Sequence, residues 1–124
     1  MAIVDDSLVV SLEAGADLSA GQYYFVSVAA DGQIDLTGDG AQADGVLLND
    51  PAAAGRAATV CILGKTKVTA GGAITAGGKI ACDASGRAVA AATTGDEILG
   101  VALSTVTTAG EVVEIIFNPN GTVA

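Results

Sequence analysis

Short runs of β-branched and aliphatic residues recur along the whole chain, broken by Gly, Asp, Asn and Pro. That punctuation predicts many short strands rather than helices. The runs fall at residues 7–12, 22–28, 33–36, 45–49, 59–63, 66–69, 79–83, 87–90, 98–104 and 111–118. Residues 7–12 alternate, so Leu8, Val10 and Leu12 are expected on one face of a strand. Ala30-Asp31-Gly32 and Ala84-Ser85-Gly86 read as hairpin turns, because Gly supplies the positive φ that a tight turn needs. Residues 52–58 are Ala-rich and have helix propensity, but Pro51 and Gly55 make the segment a loop or a single turn.

The pattern repeats. Ala14-Gly15-Ala16-Asp17-Leu18-Ser19-Ala20-Gly21 matches Ala70-Gly71-Gly72-Ala73-Ile74-Thr75-Ala76-Gly77, an offset of 71 − 15 = 56. Gly45-Val46-Leu47-Leu48 then aligns with Gly100-Val101-Ala102-Leu103, and Gly55 with Gly110, both at 55. Residues 59–63 match 114–118 as a closing aliphatic strand. The expected fold is therefore all-β: a small barrel or sandwich of two similar tandem units with an extended N-terminal arm. The expected division of the single domain 1–124 is an arm or strand at 1–13, a first unit at 14–69, a second at 70–118 and a tail at 119–124. In the repeated segment glycines permit sharp bends, and Leu18 or Ile74 is placed to plug the end of each unit.

Composition narrows the function. Hydrophobic residues make up 51% of the chain, but aromatics only 3%, so small aliphatics must do most of the packing. Such an interior buries little area per residue, which favours a protein stabilised by association. The net charge is −9, and no Lys or Arg precedes Arg56. Nucleic acid and anionic membranes both call for a basic footprint, so neither is an expected partner. The acidity keeps the protein soluble and suits a basic patch on a partner. No run of about 18 apolar residues is present to span a bilayer, and the start lacks the basic-then-apolar pattern of a secretory signal.

Chemistry is sparse. The chain has no His, which removes Ser-His and Cys-His dyads and the commonest metal ligand. Cys61 and Cys82 lie in apolar runs without metal or redox spacing and read as small core residues. The carboxylate pairs Asp5/Asp6 and Asp96/Glu97 are sequence neighbours, which point to opposite sides of an extended chain. Gly64-Lys65-Thr66 imitates the end of a phosphate loop, but Thr59 stands where that motif needs Gly, and a strand leads into it. Asp35, Asp39 and Asp44 lack the spacing of a calcium loop. No catalytic residue, cofactor or metal is expected.

Two features point to adhesion. The N-terminal segment 2–12 precedes the first repeated motif and can pair with a sheet edge, either a neighbour's or its own. The basic residues Arg56, Lys65, Lys67, Lys79 and Arg87 are confined to one stretch and suit an acidic surface. As ordinary surface charge they would instead keep strand edges from pairing wrongly. The candidate interface residues are Ile3, Val4, Asp5, Asp6, Leu8, Val10, Arg56, Lys65, Lys67 and Arg87. A carbohydrate- or ligand-binding β-domain on a larger assembly is the alternative, with Tyr23-Tyr24-Phe25 as its aromatic platform.

The segment from Gly64 to Gly77, Gly64-Lys65-Thr66-Lys67-Val68-Thr69-Ala70-Gly71-Gly72-Ala73-Ile74-Thr75-Ala76-Gly77, resembles the central signature of small capsid cement, or head decoration, proteins of tailed phages. Asp83-Ala84-Ser85-Gly86-Arg87-Ala88, Ile98-Leu99-Gly100-Val101-Ala102-Leu103 and Ala109-Gly110-Glu111-Val112-Val113-Glu114-Ile115 follow in the same order and spacing. The resemblance implies a non-enzymatic virion protein, made in the bacterial host cytoplasm and placed on the capsid exterior. It implies a homotrimer near three-fold and quasi-three-fold positions whose partner is the major capsid protein of the same phage.

Overall fold

A computed structural model describes residues 7–124. The described residues form nine strands and no helix: β1 (Ser7–Glu13), β2 (Phe25–Val28), β3 (Ile34–Leu36), β4 (Gly45–Leu47), β5 (Ala57–Thr69), β6 (Lys79–Cys82), β7 (Ala88–Ala90), β8 (Gly100–Ala102) and β9 (Val112–Phe117). All belong to one curled antiparallel sheet ordered β3-β2-β4-β5-β9-β8-β6-β7, with β1 also paired to β5.

The tandem repeat is visible bond by bond. In the first unit β1 pairs with β5, β5 with β4, β4 with β2 and β2 with β3. In the second, the C-terminal half of β5 pairs with β9, β9 with β8, β8 with β6 and β6 with β7. The loops repeat too. The Leu18 N–H donates to the Pro51 carbonyl, as Ile74 does to Val106. Gly55 donates to Ala14, as Gly110 does to Ala70. Both expected hairpin turns form, at Gly32 (φ 82°) and Gly86 (φ 87°).

The structure departs from the sequence reading in three places. The runs at 59–63 and 66–69 are one strand, because Gly64 (φ 108°) bends the backbone without leaving the ladder and pairs with both Ser7 and Phe117. β5 therefore closes the first unit and opens the second. Residues 7–13 do not lie outside the repeat: β1 holds the place in the first unit that 65–69 holds in the second. Finally, the first unit's counterpart of Gly77 is Tyr23, not Gly21. Tyr23 donates to the Leu47 carbonyl just as Gly77 donates to Ala102, and both are left-handed, at φ 66° and 85°. The first unit carries two more residues between Leu18 and this point, which a gap-free alignment misses.

Burial follows the strand period of two. β9 alternates exposed and buried, with Val113, Ile115 and Phe117 inward. Ala14, Leu18, Val26, Ile34, Leu47, Ala58 and Val60 form the first unit's core. The larger core joins the second unit's inward residues to Phe25, Ala43 and Val46 from the first. The Phe25 and Phe117 rings lie 6.0 Å apart and tie the two units together. Leu18 and Ile74 are both buried, one in each core, as end plugs would be.

Candidate binding surface

Directly paired residues of an antiparallel sheet point to the same side. On the second unit this sets up an outward row across four strands: Lys65 opposite Ile116, Ile116 opposite Val101, and Val101 opposite Lys79. All four are exposed, Ile116 by 43% and Val101 by 38%. Beside the row, Lys67 faces Glu114, and Glu114 ion-pairs with Lys65 at 3.6 Å. Leu63 and Leu8 face each other further along β5 and β1, exposed by 48% and 54%. Val112 and Leu103 add further exposed aliphatic area on β9 and just after β8. Single exposed aliphatics are ordinary, but several on one sheet face mark an interaction surface.

The expected interface residues divide. Lys65, Lys67 and Leu8 come together on this outward side, with Lys79 at its far edge. Leu8 does not share a face with Val10 and Leu12: a register shift between Leu8 and Val9 turns it outward, while Val10 and Leu12 pack partly against the first core. Arg56 is exposed in the loop before β5, away from the lysines in the ladder. Arg87 sits at the β6–β7 hairpin, where its Nε donates to Asp83 Oδ2 at 3.2 Å. Asp83 Oδ1 also accepts from the Ser85 and Arg87 N–H groups, so this pair braces a turn. Ile3, Val4, Asp5 and Asp6 lie outside the described residues. The five basic residues thus form a group of three and two outliers.

Sequence reasoning missed Val101, Val112 and Ile116. The run from Val112 to Phe117 is apolar at five of six positions, so it gives no sign that one face is left uncovered.

Reactive chemistry is muted among the described residues. Cys61 and Cys82 are free and buried. Burial pushes the Cys61 thiol up; burial, then the neighbouring Asp83 carboxylate, push Cys82 up to about 12. No three described His, Cys, Asp or Glu residues are grouped to hold a metal. Asp44 instead accepts the Val28 N–H at 2.8 Å, a structural role. Of the aromatic run, Phe25 is fully buried and Tyr23 and Tyr24 are half-buried, so no exposed three-ring platform exists.

Residues 4–117 match the family model described as phage cement protein. No curated protein sequence matches. Among solved structures, the N base of the head fiber gp8.5 of bacteriophage phi29 is similar, with a TM-score of 0.70 and 22% identity over 90% of this chain and 95% of that one. At that identity the likeness speaks for the fold. The chain belongs to the phage cement protein family, and is a structural protein of the phage head.

Proposed function

We propose that this phage cement protein binds the outside of the expanded head as a homotrimer at three-fold and quasi-three-fold positions, tying neighbouring major capsid subunits together. The family match over residues 4–117 carries this reading. An exposed aliphatic face edged by Lys65, Lys67 and Lys79 on a continuous sheet supports it. The candidate set Ile3, Val4, Asp5, Asp6, Leu8, Val10, Arg56, Lys65, Lys67 and Arg87 serves contacts with the shell and with sister subunits. The protein does no bond-making: its thiols are buried and protonated, and it has no His. It is made in the bacterial host cytoplasm and acts on the virion, without nucleic acid, membrane or cofactor.

The physics of cementing needs no strong single contact. A trimer touches several shell subunits at once, so effective concentration multiplies modest affinities. A ligand that binds only the expanded lattice stabilises that lattice by mass action. The test is to mix purified protein with undecorated expanded heads of its phage and image them by electron cryomicroscopy. Ordered density of three copies around the three-fold positions is the expected result. Bare heads at saturating protein would overturn the reading.

A further inference from the structure

The two units of one chain meet through a contact, and among the described residues each half of it recurs, incompletely covered, on the other unit. On the first unit the outward row is Val9–Cys61–Val46–Phe25, defined by the same cross-strand pairs as Lys65–Ile116–Val101–Lys79 on the second. In the first unit this row is covered at Cys61, Val46 and Phe25, while Val9 at its end stays exposed. Phe25, Val46 and nearby Ala43 are fully buried in the core of the second unit, against Phe117. The backbone joins in: Phe25 donates to the Gly86 carbonyl at 2.7 Å, and Thr69 donates to Tyr23 at 2.8 Å.

Among the described residues nothing comparable covers the second unit's row. Its counterparts of Phe25, Ala43 and Val46 are Lys79, Ile98 and Val101, which with Ile116 line a shallow hollow open to solvent. The receiving side is incompletely covered among the described residues as well. Val68 and Phe117, buried where Phe25 docks, correspond in the first unit to Leu12 and Ile62, which are only partly buried.

We propose that copies of this chain associate by repeating their internal contact, the outward row of one copy's second unit seated on the Leu12 and Ile62 side of the next copy's first unit. This rests on the homotrimer reading and names the surface that builds it. The charges fit. Gly32 is the counterpart of Gly86, so the repeated contact brings Lys79 of one copy to the Asp31-Gly32 turn of the next. Lys79 is on the unit that carries the lysines, and Asp31 on the stretch where no Lys or Arg precedes Arg56. One part of the contact is already filled. Gly95 donates to Val123 of the chain's own tail, whereas its counterpart Gly40 donates across the unit contact to Cys82. The contact between copies is therefore confined to the strand row and Ile98. Because it joins unlike surfaces, it is head-to-tail, and on the homotrimer reading three copies close it into a ring.

Sedimentation of the full chain tests this. The wild type is expected at three times its 12.0 kDa mass, and Ile116→Asp, which changes an exposed side chain, at the monomer mass with an unchanged circular dichroism spectrum. Lys79→Glu is expected to weaken association at least tenfold at low salt, and adding Asp31→Lys to the same chain to restore it. A monomeric wild type, an Ile116→Asp trimer, or a Lys79→Glu defect that Asp31→Lys does not repair would overturn the contact. Decoration of heads is scored separately. A wild type that is monomeric yet decorates heads sinks this contact and spares head binding; a wild-type trimer that ignores heads does the reverse.

Discussion

Cys82 has no solvent access, and its thiol is held up to about 12 by burial and by the adjacent Asp83 carboxylate. The neutral thiol is thus favoured by folding. Its stabilising contribution is complete below the unfolded value of 9.0 and is lost as pH rises from there towards 12. Unfolding free energy is expected to fall over that window in the wild type and less steeply in Cys82→Ala, as urea titrations at stepped pH would show. In the native state neither cysteine is expected to react with iodoacetamide near pH 8, whereas both react in denaturant. Tyr23 offers a second test. A side chain at φ 66° is strained by roughly 1 kcal/mol, and the second unit has Gly77 at that place. Tyr23→Gly should therefore unfold at higher denaturant than Tyr23→Ala by about 1 kcal/mol, since both lack the ring and differ only in backbone freedom. The strain at Tyr23 was not legible in the sequence, because an aromatic run after Gly reads as an ordinary strand start. The outward turn of Leu8 was hidden for a similar reason: a bulge leaves the alternation of the letters intact while changing the face.

Gly45 and Gly100 hold equivalent places in β4 and β8, and each lies against a neighbouring strand. A Cβ on Gly100 would strike the Ile116 carbonyl; on Gly45, the Val60 side chain and the Cys61 carbonyl. Gly100→Ala is expected to cost about 1–3 kcal/mol by forcing β8 off β9, read from the shift in denaturation midpoint. Gly55→Ala, which meets no atom within 4 Å, should show only the smaller cost of its φ of 84°. This pair of glycines was visible in the sequence as the aligned Gly45-Val46 and Gly100-Val101, and so was almost every strand, since Gly and Asp mark the turns and β-branched residues fill the ladder. What the letters withheld was continuity. A glycine inside a strand and one in a turn look alike, so β5 read as two strands, and its sharing between the units went unseen.

Across the whole molecule, one sheet carries two cores, and the first unit's outward row supplies part of the second. Phe117→Ala would remove the ring that Phe25 packs on and is expected to cost about 3–5 kcal/mol, with a single cooperative transition for both units by far-ultraviolet circular dichroism. The absence of His, the shortage of basic residues and the Ala-rich interior pointed away from catalysis and towards association before any fold was known. The binding face was less legible, because an apolar strand covered on both sides and one covered on a single side have the same composition. On the proposed function, adhesion alone is what this protein contributes to holding a phage head together. Its most direct measure is the temperature at which DNA-filled heads release their genome, with and without the protein at full occupancy. Decorated heads are expected to release DNA several degrees higher than bare ones. Equal release temperatures on fully decorated heads would contradict the account.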